Sequence, residues 1–199
     1  MMRRLAPLAA FVLIAAVFAT VPRNAGAQDA RAFVANLGTQ AIQVLGPSVP
    51  TPQRLARFRE LFRDDFDVPG IGRFVLGRHW RDATPQQQQE FLRLFQEYIV
   101  QAYSARLSEY GGEPFRVLGS RPNGDETVVS SEIVRNNGNR IQVDWFLASQ
   151  GQLKITDVYV GGVSMKVTQR DEFAAVIQQS GGLDGLLARL RQKIAAAGG

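Results

Sequence analysis

The sequence predicts an α+β fold, an antiparallel sheet of about four strands packed with several helices, and three observations carry that expectation. From about residue 30 to residue 110, apolar side chains recur every three or four positions, the period of one helix face. Between Phe115 and Val160 the period falls to two, and the breaks at Asn123-Gly124, Asn137-Gly138 and Gln150-Gly151 suit hairpin turns. Beyond Gly161-Gly162 the helical period returns. Helices, then a meander, then helices is the order of an α+β domain, not of alternating βαβ units.

The start of the chain reads as a targeting segment. Met1-Met-Arg-Arg is basic, Leu5 to Val21 is almost wholly apolar, and Ala25-Gly-Ala27 before Gln28 has the small-x-small form of a secretory cleavage site. The apolar stretch is shorter than the roughly 20 residues of a membrane-spanning helix, and Pro22 follows it. The expected organisation is therefore a signal peptide over 1–27 and one soluble domain over 28–199. Removing the signal takes away Arg3, Arg4 and Arg23 but no acid, so the formal charge falls from +5 to +2. With no Lys/Arg run left, nucleic-acid binding loses its electrostatic basis. The 199 residues contain no Cys, which excludes disulfides and a lipidated cysteine.

The remaining elements follow in order. Ala30 to Leu45 presents Phe33, Leu37 and Ala41 on one side and is closed by Gly46-Pro47. Thr51 is placed to cap a second helix with Pro52 at its first position, Leu55, Phe58, Leu61 and Phe62 forming the apolar face. Asp65 to Gly72 reads as a turn leading to a short helix through Phe74, Val75 and Leu76. Thr84, Pro85 and Gln87 then mark a capping box, and Phe91, Leu94, Phe95, Tyr98, Ile99 and Tyr103 make a broad aromatic stripe behind it. That face belongs either to a central core helix or to one wall of an apolar cavity. In the third strand Ile141, Val143, Trp145 and Leu147 alternate with Gln142 and Asp144, so one face is oily and calls for a helical cover. Thr168 is read as the cap of the next helix, and Leu183, Leu186, Leu187, Leu190 and Ile194 line up on a last one.

Catalytic chemistry is poorly represented. His79 is the single histidine, so no two-histidine metal site exists and any triad must pass through it. Ser164 in Gly162-Val-Ser-Met-Lys166 lacks the second glycine of a nucleophile elbow. Asp65-Phe-Asp67-Val-Pro-Gly70 imitates half an EF-hand loop but puts Pro69 and Leu76 where ligands belong. No phosphate-binding glycine loop is present. An enzyme reading needs a carboxylate inside an apolar pocket, with Asp144 or Asp157 beside Tyr103 as candidates, and Asp144 lies on the polar parity of its strand.

Three motifs in sequence bear a resemblance. Arg73-Phe-Val-Leu-Gly-Arg-His-Trp-Arg-Asp-Ala-Thr-Pro85 with Glu90-Phe91 comes first, followed by Tyr103-Ser-Ala-Arg-Leu107 with Tyr110. The third comprises Lys154-Ile-Thr-Asp-Val158, Gly162-Val-Ser164 and Arg170-Asp-Glu-Phe173. Together they resemble the toluene-tolerance Ttg2/MlaC family of periplasmic phospholipid-binding proteins, over about residues 33 to 194. His79 in place of the usual Tyr and Leu153 in place of a frequent Trp are departures.

The resemblance implies a curved sheet and helices around a lipid cavity, a phospholipid as cargo with no cofactor, and a carrier rather than an enzyme. Expected lining residues are Leu76, Trp80, Phe91, Phe95, Ile99, Tyr103, Val143, Trp145, Ile155 and Val163, with Arg73, Arg78 and Arg81 for partner or head-group contact. The implied partners are an outer-membrane lipoprotein complex and an inner-membrane ABC transporter with a periplasmic lipid-binding domain. A hopanoid-associated carrier of the same family is the alternative cargo reading.

Overall fold

A computed structural model describes residues 25–45, 48–107, 112–149 and 151–197. Residues 1–24 of the expected signal peptide, Gly46-Pro47, Tyr110 and Gln150 lie outside the described residues. Helices α1 (Ala25–Leu45), α2 (Thr51–Asp65), α3 (Val68–Leu76), α4 (His79–Asp82) and α5 (Pro85–Leu107) come first. Strands β1 (Phe115–Asn123), β2 (Glu126–Val134), β3 (Arg140–Ser149), β4 (Leu153–Val160) and β5 (Val163–Ser164) follow, then α6 (Met165–Gln179) and α7 (Leu183–Ala197). The five strands form one antiparallel sheet in sequence order, the meander that the hairpin signals predict plus one short edge strand.

Local chemistry explains most boundaries. At the start of α5 the Gln87 backbone N–H donates to Thr84 Oγ1 at 3.2 Å while the Thr84 N–H donates to Gln87 Oε1 at 2.9 Å, the reciprocal pair of a capping box. The expected turn at 65–72 is instead helical except at Phe66 and Asp67. Asp67 accepts from the Gly70 N–H at 3.1 Å and starts α3 with Pro69 in its first turn, so the half EF-hand is a helix cap. Thr168 is likewise not a cap, for α6 begins three residues earlier, at Met165. Ser164 accepts from the Val167 N–H, and the Thr168 hydroxyl donates back to the Ser164 carbonyl. The unforeseen β5 exists because Gly161 and Gly162 both take positive φ, 57° and 82°, which returns the chain sharply enough for Val163 to pair with Val160.

Two apolar cores result. One lies wholly among helices and joins Phe62, Val75, Leu76, Phe91, Phe95, Phe173, Ile177, Leu186 and Leu190. The other packs Ala30, Val34 and Leu37 of α1 on Val129, Leu147 and Ile155 of the sheet. Full burial of an aromatic such as Phe91, 0% exposed, contributes about 1.5–3 kcal/mol. Phe66 belongs to both clusters, and a bridge to Ile155 with the Asp67 N–H donating to the Ile155 carbonyl at 2.9 Å pins the end of α2 to β4. Between the two cores, beside that pin, the packing opens.

Candidate functional site: an apolar cavity between sheet and helices

The gap is a cavity of about 310 Å³. The sheet supplies Ile133, Val143, Trp145, Val158 and Val160, and Phe95, Ile99 and Tyr103 of α5 face them. Phe58 and Phe62 of α2, Phe66, and Ile71 of α3 close one side; Met165, Lys166 and Gln169 of α6 close another. Sheet register decides which strand residues point inward. Val143 pairs with Ser131 and Val160, and Trp145 with Val129 and Val158, so these residues share the covered face while Gln142 and Asp144 occupy the other.

Polar groups in this wall are mostly occupied by the protein itself. Trp145 Nε1 donates to Ser131 Oγ at 2.9 Å, and Ser131 Oγ donates to the Val143 carbonyl at 3.1 Å, which fixes the indole plane. Asp157, 4% exposed, accepts from Ser164 Oγ at 2.6 Å, from the Val158 N–H at 2.8 Å and from the Lys166 N–H at 3.2 Å. Its carboxylate is thus committed to starting α6, where a negative charge also suits the helix dipole. The Tyr103 hydroxyl lies 3.9 Å from the Met165 sulfur. Gln169 gives its amide N–H to Glu172 at 3.1 Å, and its Oε1 is buried without a protein partner. Among the described residues no group of three or more His, Cys, Asp or Glu could hold a metal ion. What such a wall can do is shelter flexible aliphatic chain from water.

The expected lining residues divide. Phe95, Ile99, Tyr103, Val143 and Trp145 surround the cavity. Leu76, Phe91 and Ile155 do not; they are 2%, 0% and 0% exposed in the two packed cores. Phe91 and Phe95 both meet Phe173 edge-on at 6.0 Å, but Phe91 lies one turn nearer the start of α5, where the helix is enclosed by other helices. Trp80 packs on the helical core with the Arg73 guanidinium 5.5 Å from its ring centroid. Val163 is 54% exposed on the β4–β5 hairpin, outside the wall. Arg78 and Arg81 are exposed on the α3–α4 segment, and neither they nor Arg73 line the cavity.

Sequence reasoning missed Phe58, Phe62 and Phe66, although an aromatic every fourth residue was visible there, and it missed the α6 contribution. A second depression of about 920 Å³ lies outside, between α6 and α7, but it is an open groove rimmed by Glu172, Arg189 and Lys193 and lacks any sheet residue.

Residues 38–192 match the family described as MlaC protein. The chain belongs to the MlaC family. Among relatives, the toluene tolerance protein ttg2D of Pseudomonas putida is 30% identical over 118 residues, covering 58% of this chain and 55% of that protein. The chain thus matches about half of that relative's length. The intermembrane phospholipid transport system binding protein MlaC of Haemophilus influenzae is 24% identical over 144 residues, 67% of each chain. A solved structure of a phospholipid-binding protein from Ralstonia solanacearum, in complex with a phospholipid, superposes with a TM-score of 0.71 at 24% identity, over 85% of this chain and 99% of that one. That likeness shows a shared fold, the mixed helical and antiparallel architecture described above.

Proposed function

We propose that this MlaC-family chain is a periplasmic phospholipid carrier that shuttles lipid between the outer membrane and an inner-membrane ABC transporter. The observation that carries the reading is the cavity wall itself, mostly apolar side chains from seven elements with few uncommitted polar groups. A relative named for phospholipid transport and a neighbour solved with phospholipid point the same way.

Energetics explain why a carrier is needed. Each CH₂ kept from water is worth about 0.8 kcal/mol, so two chains of about 16 carbons would cost roughly 25 kcal/mol to carry naked through an aqueous compartment. A lipid in a bilayer is already dehydrated. Transfer from membrane to cavity is then nearly balanced, and partner complexes can set its direction. At about 310 Å³ the cavity sits at the small end of the roughly 300–1,000 Å³ usual for ligand sites, so two full chains require the helices and the sheet to part. The seam between two separately packed cores is where that widening costs least.

The partners proposed are an outer-membrane lipoprotein complex and a transporter-borne periplasmic lipid-binding domain, with the exposed Arg78 and Arg81 steering docking by charge. Organic extraction of protein purified from its native periplasm, followed by mass spectrometry, tests the reading. A diacyl phospholipid at up to one per chain is expected. A polycyclic lipid in its place would reassign the cargo, and lipid-free protein that also takes none from vesicles would refute the carrier function.

A further inference from the structure

The mouth of the cavity can be located from the structure. Val160 lines the cavity and is also 37% exposed, so the wall reaches solvent at the β4–β5 hairpin. Beginning three residues beyond the hairpin glycines, α6 turns Lys166, Gln169 and Arg170 to one side, the spacing of neighbours on a helix face. Lys166 and Gln169 line the cavity, and Ile71 does so from α3. One turn after Ile71 stands Phe74, and its ring gathers two cations: Lys166 Nζ and the Arg170 guanidinium each lie 5.0 Å from its centroid.

We infer that Lys166 and Arg170, held on Phe74 at the cavity mouth, form the seat for the phosphodiester of the bound lipid. This deepens the carrier reading and rests on it. Two like charges within twice 5.0 Å of each other repel, and cation–π attraction to one half-buried ring offsets that only in part. Local carboxylates do not complete the balance. Among the described residues no acid lies within ion-pair distance of Lys166, and Asp157 is occupied by Ser164 and two backbone N–H groups. Arg170 meets Asp171 at 3.4 Å, but that pair is 44% and 69% exposed and worth little in water. A phosphodiester has two non-bridging oxygens, so one can accept from the ammonium and the other from the guanidinium at once. With the phosphate there, the acyl chains descend between α5 and the sheet while the rest of the head group stays in solvent.

The test compares two lipids that differ only in the phosphate-bearing head group. Delipidated protein is incubated with phosphatidylglycerol vesicles containing one part in ten diacylglycerol, and the bound species are counted by native mass spectrometry. Lys166→Glu and Arg170→Glu should each lower phospholipid occupancy about tenfold, the loss of one charge-assisted hydrogen bond, and leave diacylglycerol uptake as in the parent. Lys166→Arg should retain phospholipid. Lys166→Gln and Arg170→Gln, which remove charge without reversing it, give the same contrast if a reversal impairs folding. Unchanged phospholipid occupancy in the folded variants, or equal loss of both lipids, overturns the seat while leaving the carrier reading intact. A parent protein that takes up neither lipid overturns the carrier reading, and the seat with it.

Discussion

Ser164 Oγ lies 2.6 Å from Asp157 Oδ2, and this buried hydrogen bond ties the last long strand to the first turn of the helix that closes the cavity. The same serine accepts from the Val167 N–H at 3.1 Å, so one hydroxyl caps α6 while its partner carboxylate anchors the cap to the sheet. Asp157→Ala removes three acceptor contacts and strands a buried hydroxyl. A loss of roughly 3 kcal/mol is expected, read as a lowered urea midpoint, with Asp157→Asn recovering part of it. A variant as stable as the parent would mean that α6 is held by packing alone.

Val143 and Leu147 share one face of β3 but differ in what they meet. Val143 faces the cavity, whereas Leu147 is 1% exposed in the packed α1–sheet core. Val143→Trp should therefore fold with nearly parental stability and lose lipid uptake. Leu147→Trp should be destabilised by about 1–3 kcal/mol or more through overpacking. Paired thermal melts and vesicle-uptake assays decide it, and equal destabilisation would show that the Val143 environment is packed core.

The capping box makes a local prediction. Thr84→Ala removes the acceptor for the Gln87 N–H and should cost about 1 kcal/mol, and Gln87→Ala should cost less because the Thr84 side of the pair survives. Denaturant titration resolves the difference, and a neutral Thr84→Ala would show that α5 is started by its packing instead.

Asp65 supplies a pH dependence. Burial raises its pKa above 3.8, Lys154 opposes the shift and the neighbouring Asp64 adds to it. The native state therefore binds the Asp65 proton more tightly than the unfolded chain does. Its carboxylate disfavours folding at neutral pH, and this penalty fades as pH falls through the raised pKa toward 3.8. Asp65→Asn should accordingly raise the melting temperature at about pH 7 and give a smaller gain at about pH 4. A gain of the same size at both values would assign the effect to something other than ionisation.

What could be read from the sequence was local or periodic. The alternation of Val143, Trp145 and Leu147 placed one face of β3 under the helices, because side chains on a strand alternate whatever lies above them. Thr84 and Gln87 started α5 because a capping box is completed within four residues. Three motifs spanning Arg73 to Phe173 were enough to reach the MlaC family, which the match over 38–192 established.

The division of the apolar stripe was decided only in three dimensions. Phe91 and Phe95 are chemically identical, one turn apart on α5 and both edge-on to Phe173 at 6.0 Å, yet only Phe95 also borders the cavity. The gathering of Lys166 and Arg170 on Phe74 was equally hidden, since it joins α6 to α3, elements far apart in the chain. Burial has the same hydrophobic signature whether the neighbour is a side chain or a space for lipid. Sequence therefore fixes which residues leave water, and how α1 to α7 dock on the sheet fixes which of them meet protein and which leave room.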